Sequence, residues 1–257
     1  WKFSINFAKK IFEKFNLCLT SNKESENFLK TLGAKNVKNY GNIKYSGVEN
    51  NKNKKLNSTF LDKVKNKKIW CAASTHPSEE LFCAKSHIKI KKISGNVLTI
   101  IIPRHIERVE TIQKELLKLN LNIVLSSNLE QVNEDTDILL VDAYGEALKF
   151  YDISKYVFLG KSLISALRND SGQNPIEPAK KGCKIFHGPY VSNFNEAYNY
   201  LNELGITKQV NELEELSLSL VEEFKKDEPK NHDIAMKIEN YGQNILNNVT
   251  SELKKYI

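Results

Sequence analysis

The sequence lacks any apolar run that approaches the roughly 20 residues of a membrane-spanning helix. Its longest apolar stretch, Val97 to Pro103, has the length of a single strand. The chain does not open with a basic segment followed by an apolar one, so the pattern of a signal peptide is absent as well. Because the chain opens with Trp1 rather than Met, we expect it to be a fragment or a processed product, with any anchor lying upstream.

Cysteine is also scarce, with four residues in a chain of 257. They are widely scattered, none forms a CxxC pair, and no group has the spacing of a metal site. This pattern argues against both a disulfide framework and a zinc site, and it predicts reduced thiols that mostly fill the core. The four residues are Cys18, Cys71, Cys83 and Cys183.

Acidic residues are outnumbered, because 38 Lys and Arg stand against 31 Asp and Glu, for a net charge of +7. Nearly all the basic residues are Lys, and the chain is rich in Asn and Ile, a bias that an AT-rich coding sequence produces without functional demand. A basic surface favours anionic partners such as nucleotides, phosphorylated lipids or nucleic acid. Nucleic acid is the weakest of these, because no recognition motif is present and the lysines are dispersed.

What the chain does have is a regular alternation of strand-sized apolar runs and amphipathic helices. Continuous apolar strands between helices predict a parallel sheet covered on both faces, which is a doubly wound, Rossmann-like α/β fold. The predicted strands of the main part are 68–73, 97–102, 121–125, 137–141, 155–159 and 183–186. The predicted helices are 58–66, 77–92, 105–119, 145–151, 175–182 and 192–204.

A polar stretch rich in Asn and Lys, residues 47–57, is predicted to be a linker. Residues 1–46 contain two helices and two short strands, which indicates the end of a first alternating α/β unit. Residues 58–257 form the main predicted domain, which ends in two helices separated near Pro229.

Residues that can carry chemistry fall just after the predicted strands, where ligands bind in open parallel sheets. Ser74 and Thr75 follow the first of these strands and precede a helix start, which is either a capping box or a loop whose N–H groups hold an anion. Arg104 and Arg108 stand at the next helix start, where the helix dipole disfavours cations. Unless both are simply solvated, their placement indicates an anion bound between them. His105 says little by itself.

The later loops add further candidates. Gly145 permits close approach of the backbone, and Glu146 opens a helix, where it is also a favourable first-turn acid. A long loop contains Ser162 and ends at a helix start that Asn174 is predicted to cap, with Glu177 one turn in. A carboxylate in that place can accept two hydroxyl hydrogen bonds, as from a ribose.

Together and in this order, these loops resemble those of the 3-deoxy-D-manno-octulosonic acid (Kdo) transferases of lipid A biosynthesis. Each motif alone is weak, but five in register across nearly the whole chain are specific. The matching stretches are Ala72-Ala73-Ser74-Thr75-His76 with Glu79-Glu80; Ile102-Pro103-Arg104-His105 with Glu107-Arg108; Gly145-Glu146; Asn174-Pro175-Ile176-Glu177-Pro178-Ala179; and Gly188-Pro189 with Asn193-Phe194.

The resemblance implies a GT-B architecture of two Rossmann-like domains, of which this chain would hold the C-terminal donor domain and a remnant of the N-terminal acceptor domain. The last helix would cross back to the first domain. The implied activity is transfer of Kdo from CMP-Kdo to a lipid A precursor (lipid IVA) in lipopolysaccharide core biosynthesis, at the cytoplasmic face of the bacterial inner membrane. The implied partners are CMP-Kdo, the lipid and a membrane surface contacted through an upstream region, with no cofactor, metal or nucleic acid.

The resemblance also implies roles for the loop residues. Arg104 and the helix starts after Ser74 and Asn174 would stabilise the departing phosphate, and Glu177 would bind the ribose. The general base cannot be assigned, because the family places it near the start of the first domain, which would lie upstream of Trp1. The implied donor-binding residues are Ser74, Thr75, Arg104, His105, Gly145, Glu146, Ser162, Asn174 and Glu177.

Three departures from the family pattern are present. Lys161 and Ser78 stand where the family commonly has Gly, and the stretch 165–171 is longer than the usual Gly-rich turn. The alternatives are a nucleotide-binding fragment without catalysis, another GT-B glycosyltransferase, or a nucleotide-sugar epimerase.

Overall fold

The structure is a computed structural model that describes residues 4–47, 55–226, 228 and 230–256. The chain divides into two compact units: Trp1–Glu49 with Met236–Ile257, and Asn50–Ala235. The predicted linker 47–57 lies mostly outside the described residues, and Pro229 does so entirely. The predicted domain boundaries therefore stay a prediction.

The first unit is a small α/β assembly in which two short parallel strands pair side by side. Its elements are α1 (Ile5–Phe12), β1 (Cys18–Thr20), α2 (Lys23–Thr31) and β2 (Val37–Asn39). The Asn22 side chain accepts a hydrogen bond from the Ser25 N–H at 2.7 Å, as predicted for a helix cap. The buried carboxylate of Glu252 bonds Lys38 at 2.7 Å and Tyr40 at 3.0 Å, which ties the end of the last helix to the segment around β2.

The second unit is built on a seven-stranded sheet. The strands are β3 (Lys68–Thr75), β4 (Val97–Pro103), β5 (Ile123–Leu125), β6 (Ile138–Leu140), β7 (Tyr156–Leu159), β8 (Lys184–His187) and β9 (Thr207–Gln209). Their spatial order is β5-β6-β4-β3-β7-β8-β9, and each pair is parallel. The carboxyl ends of all seven strands consequently share one edge of the sheet.

Helices precede, connect or follow these strands. They are α3 (Ser58–Val64), α4 (Glu79–Ser94), α5 (Val109–Leu117), α6 (Ala147–Ile153), α7 (Ile176–Lys180), α8 (Asn195–Glu203), α9 (Leu213–Lys226) and α10 (His232–Leu253). α10 begins in the second unit and ends in the first.

The core covers both faces of the sheet. Every residue of β4 is buried, without the alternation of a half-exposed strand. Trp70 and Ala72 of β3 pack in a cluster with residues of α4 and α9, and the intervening Cys71 and Ala73 are equally buried. The predicted doubly wound α/β fold is therefore confirmed.

The differences from prediction are local. The strand β9 was missed, and α5 begins at Val109 because residues 106–108 form a separate 3-10 turn. α7 has only five residues, against the eight predicted for 175–182. The four cysteines are free, and all but Cys18 are buried.

Candidate functional site

The strand order places a topological switch point between β3 and β7. β3 is followed in the chain by its neighbour β4, whereas its other neighbour, β7, comes three strands after β4. The loops that leave β3 and β7 therefore run to opposite sides, and ligands of such sheets bind in the crevice between them. The predicted site residues lie at the carboxyl end of a strand or in the segments that follow the strands.

The loop after β3 is held in a strained conformation. Ser74 has a φ of +55° and Ser78 a φ of +79°, in the left-handed region that favours glycine. Thr75 is fully buried, and its hydroxyl has no hydrogen-bond partner in the described part of the chain. Its carbonyl accepts the Arg104 N–H at 3.0 Å, which joins this loop to the one after β4.

Two histidines meet where these two loops touch. The rings of His76 and His105 lie edge to face with centroids 5.7 Å apart. His76 is buried, and burial lowers its pKa, although its hydrogen bond to the Ser74 carbonyl opposes the shift. His105 is exposed beside it, so the structure brings the predicted residues of both loops together.

The two arginines after β4 differ in their surroundings, and the anion between them stays a prediction. Arg108 makes a two-pronged ion pair with the buried Glu80, at 2.9 and 3.1 Å. Its charge is thus already compensated within the protein. Arg104 is exposed, and among the described residues its guanidinium has no hydrogen bond or ion pair.

The loop after β6 adjoins the loop after β4. The Tyr144 hydroxyl donates to Glu107 at 2.8 Å. The pKa of Glu107 is lowered, first by a hydrogen bond from its own backbone N–H and second by this bond from Tyr144. Gly145 has a φ of +77° with open space where a Cβ would lie. Glu146 forms an ion pair with Lys149 in the first turn of α6, so the interpretation of Glu146 as a favourable acid at a helix start also fits.

The loop after β7 is held by Glu79, a residue to which the sequence assigned no such role. Its carboxylate is only 1% exposed and accepts four backbone hydrogen bonds. One oxygen bonds the His76 and Lys161 N–H groups at 3.0 and 2.7 Å, and the other bonds those of Ser162 and Leu163 at 2.9 and 3.1 Å. Burial raises the pKa of Glu79, and the four donors counteract part of the rise.

Ser162 lies behind the edge rather than on it. It is fully buried, its hydroxyl donates to the Leu159 carbonyl at 2.6 Å, and it accepts the Gly188 N–H at 2.8 Å. Gly188 is required there, since a Cβ would lie 2.1 Å from the Ser162 carbonyl oxygen. Ser162 therefore joins the loops after β7 and β8.

The segment that leads into α7 carries the last two predicted residues. Asn174 accepts the Ile176 N–H at 3.2 Å, and Pro175 precedes the helix rather than opening it. Glu177 is exposed, and its carboxylate has no hydrogen bond or ion pair to other described residues. The Tyr198 hydroxyl donates to the Gln173 carbonyl, and the Tyr198 ring packs at a tilt against the ring of His187, with centroids 4.4 Å apart. Tyr198 thus connects this segment to the end of β8.

The site is therefore a continuous rim in which the loops after β3, β4, β6, β7 and β8 contact one another. It presents a cation at Arg104, the exposed imidazole of His105 and an exposed carboxylate at Glu177, a set suited to a ligand with a phosphate and hydroxyl groups. In the described ranges, no group of three or more His, Cys, Asp or Glu side chains could hold a metal ion. No helix among those described is both long and apolar enough to cross a bilayer.

A cavity of about 530 Å³ lies at the opposite edge of the sheet, away from these residues. It opens beside the amino ends of β3 and β7 and is lined by residues such as Lys67, Tyr156 and Phe224. The predicted site residues do not contribute to it.

Comparison with known proteins gives consistent relatives, although no protein-family model matches the chain. A 3-deoxy-D-manno-octulosonic acid transferase of Haemophilus influenzae is 33% identical over 172 residues, covering 66% of this chain and 39% of that protein. The proteins of the same name from Aquifex aeolicus and Rickettsia bellii are 29% and 26% identical over 214 and 246 residues. Those matches cover 83% and 96% of this chain, and 55% and 56% of the relatives. The chain thus spans about half the length of the curated relatives it matches.

Solved structures agree on the fold. A crystal structure of the C-terminal CMP-Kdo binding domain of WaaA from Acinetobacter baumannii matches 73% of this chain and 96% of that chain, with a TM-score of 0.60 and 20% identity. A putative UDP-N-acetylglucosamine 2-epimerase from Listeria monocytogenes matches 93% of this chain and 60% of that chain, with a TM-score of 0.57 and 11% identity. At such identities the likeness establishes the GT-B type of fold and nothing more. Sequence and fold together lead to one conclusion: this chain is similar to the 3-deoxy-D-manno-octulosonic acid transferases.

Proposed function

We propose that this chain is the donor-binding part of a glycosyltransferase that moves Kdo from CMP-Kdo to a lipid A precursor such as lipid IVA. The observation that carries the proposal is the continuous rim of loops at the carboxyl edge, which contains the residues that match the Kdo transferases. The names of the curated relatives support the transfer, and the Acinetobacter domain, named for CMP-Kdo binding, supports the donor.

Three residues of the rim have side-chain groups available for the nucleotide. Arg104 is exposed and uncompensated among the described residues, so its guanidinium is proposed to bind the CMP phosphate with paired N–H donors. Glu177 is likewise exposed, and its carboxylate is proposed to accept the ribose hydroxyls. Asn174 uses its oxygen on the Ile176 N–H, which leaves its NH₂ group to donate to phosphate or sugar carboxylate.

The remaining predicted residues are proposed to shape the pocket. Gly145 has space above its Cα for a base or ribose, and Glu146 adjoins it. Ser74, Thr75 and His105 lie where the loops after β3 and β4 touch. Ser162 is proposed to act by joining loops, since both of its hydrogen-bonding roles are taken within the protein.

In the proposed reaction, the bond between the Kdo anomeric carbon and a phosphate oxygen breaks while an acceptor hydroxyl oxygen attacks that carbon. The sugar passes through an oxocarbenium-like state, and negative charge develops on the leaving CMP phosphate. Arg104 would oppose that charge, and a preorganised charged donor of this kind commonly lowers the barrier by about 3 kcal/mol. The proton of the acceptor hydroxyl passes to a general base, and the proposal assigns that role to no residue of this chain. No metal or other cofactor is proposed.

The acceptor and the location are also proposals. A lipid acceptor requires access to a membrane surface, proposed to be the cytoplasmic face of the bacterial inner membrane, and the net charge of +7 favours contact with anionic lipid.

A second candidate is a nucleotide-binding part that does not catalyse transfer by itself. It is favoured by the coverage of the relatives, because the chain spans about half of their length. Adding CMP-Kdo and a lipid A precursor to the purified chain separates the two. Formation of the glycosylated lipid would contradict the second candidate. The epimerase alternative has only a likeness of fold at 11% identity in its favour.

The test of donor binding is CMP affinity measured by calorimetry. Glu177→Ala removes the exposed carboxylate and should weaken CMP binding by at least about 1 kcal/mol, or roughly fivefold, because a charge-assisted hydrogen bond is lost. Glu203→Ala is the matched control, since Glu203 is also an exposed acid and lies at the far end of α8. Equal CMP affinity in wild type and Glu177→Ala would count against the ribose assignment.

A further inference from the structure

The loop after β7 forms an anion-binding site that the protein fills with its own carboxylate. Three successive N–H groups, those of Lys161, Ser162 and Leu163, converge on Glu79 at 2.7 to 3.1 Å. Converging N–H groups of consecutive residues make a concavity that binds phosphates and other anions in many proteins. Here the concavity lies at the switch point of the sheet, and an internal carboxylate occupies it.

The same carboxylate also reaches back to the loop after β3. Its fourth hydrogen bond comes from the His76 N–H at 3.0 Å, so one buried group bridges segments more than 80 residues apart. The two loops approach so closely that a Cβ on Gly160 would lie 2.6 Å from the Ser74 oxygen and from the Thr75 Cα. The bridge therefore sets the spacing between two walls of the rim.

The loop that Glu79 holds is in turn the anchor for others. The Ser162 hydroxyl and carbonyl accept the N–H groups of Gly188 and Tyr190, at 2.8 and 3.0 Å. The Lys161 carbonyl accepts the Gly172 N–H at 2.7 Å, and the Lys161 ammonium group pairs with the Asp170 carboxylate at 2.9 Å. The segment that leads to Asn174 and the loop after β8 thus both rest on residues that Glu79 fixes.

We propose that Glu79 is a positioning residue of the donor site, whose carboxylate closes the switch-point anion site from within and fixes the loops that bind the nucleotide. The inference rests on the proposed function, because it assigns the consequence of the bridge to donor binding. It also directs the CMP phosphate away from the N–H groups of residues 161–163 and toward Arg104.

The variant Glu79→Gln tests this directly, because the side chain keeps its shape. Whichever way the amide is oriented, its NH₂ group faces two N–H donors, so two of the four hydrogen bonds cannot form. The matched control is Glu223→Gln, which neutralises another buried carboxylate, paired with Lys184 and Lys226 at the opposite edge of the sheet. Both variants and the wild type are compared by amide hydrogen exchange of the peptide covering residues 160–164 and by CMP affinity.

We expect Glu79→Gln to exchange faster at residues 161–163 and to bind CMP at least tenfold more weakly, since small displacements of binding groups have large effects. Glu223→Gln should change neither measurement. If Glu79→Gln exchanges these amides at the same rate as the wild type, or binds CMP with unchanged affinity, the proposal is overturned while the proposed function stays intact. If the wild type does not bind CMP, the proposed function fails, and the exchange result alone decides whether Glu79 holds the loop.

A variant that does not fold is covered by two further measurements. Glu79→Asp keeps the charge but shortens the reach, and it should give a smaller loss of CMP affinity and of protection than Glu79→Gln. The wild type alone must show slow exchange at residues 161–163 although they lie in a loop, and fast exchange there would overturn the proposal.

Discussion

Replacing Ser78 by glycine should stabilise the protein. Ser78 precedes α4 with a φ of +79°, it is exposed, and its side chain makes no capping hydrogen bond. The left-handed conformation costs a residue with a Cβ about 1–2 kcal/mol, and glycine would remove that cost. The greater freedom of glycine in the unfolded chain offsets about 0.4–1 kcal/mol of this stabilisation. The expected net effect of Ser78→Gly is therefore about 1 kcal/mol of added stability, or about 2–4 °C in Tm for a domain of this size.

The assay is denaturant unfolding of wild type, Ser78→Gly and two controls. Ser78→Ala keeps the Cβ and should give no gain. Asn120→Gly changes another exposed residue with a φ of +56°, but because asparagine tolerates this conformation, its gain should be no more than a few tenths of a kcal/mol. Equal or lower stability of Ser78→Gly would refute the reasoning from backbone strain.

Two further perturbations test the sheet and its rim. Gly160→Ala should destabilise the protein by about 1–3 kcal/mol and weaken CMP binding, because its Cβ would push the Ser74 and Thr75 backbone aside; an unfolding curve that matches the wild type would contradict the close contact. Burial alone would raise the pKa of Asp137, but hydrogen bonds from His87, Lys91 and the Asn122 N–H lower it well below its usual value. A lowered native pKa gives stability that is present above about pH 4, the ordinary value for Asp, and is lost as the pH falls through the native pKa. Unfolding measured between pH 7 and pH 2 should therefore show a steeper acid loss in wild type than in Asp137→Asn, and parallel curves would refute this assignment.

The sheet was predictable because its strands are buried on both faces. β4 is a continuous apolar run, and the helices around it show the 3.6-residue period, so both elements carry strong local patterns. β9, by contrast, is three residues long with two exposed polar side chains, and pairing with β8 rather than its own sequence makes it a strand. α5 was predicted four residues too long at its start, because the helical period does not distinguish an α-helix from the 3-10 turn before it.

The site was predictable in its location but not in its internal contacts. The position of polar residues after strands is a local property, and it placed Arg104 and Glu177 correctly at the carboxyl edge. The pairing of Arg108 with Glu80, and the role of Glu79, depend on contacts between residues 28 and more than 80 positions apart. No local pattern encodes such contacts. The one available signal was the family preference for glycine at Lys161 and Ser78, both of which the structure places at positive φ.

The most direct test of the account is to map where CMP binds on the wild-type chain by residue-resolved chemical-shift perturbation. We expect the affected amides to cluster at the carboxyl edge, around Thr75, Arg104, Gly145 and Glu177. Amides near the cavity at the opposite edge, such as that of Tyr156, should stay unchanged. Perturbations confined to that opposite edge, or none at saturating CMP, would contradict the claim that the rim is a nucleotide site.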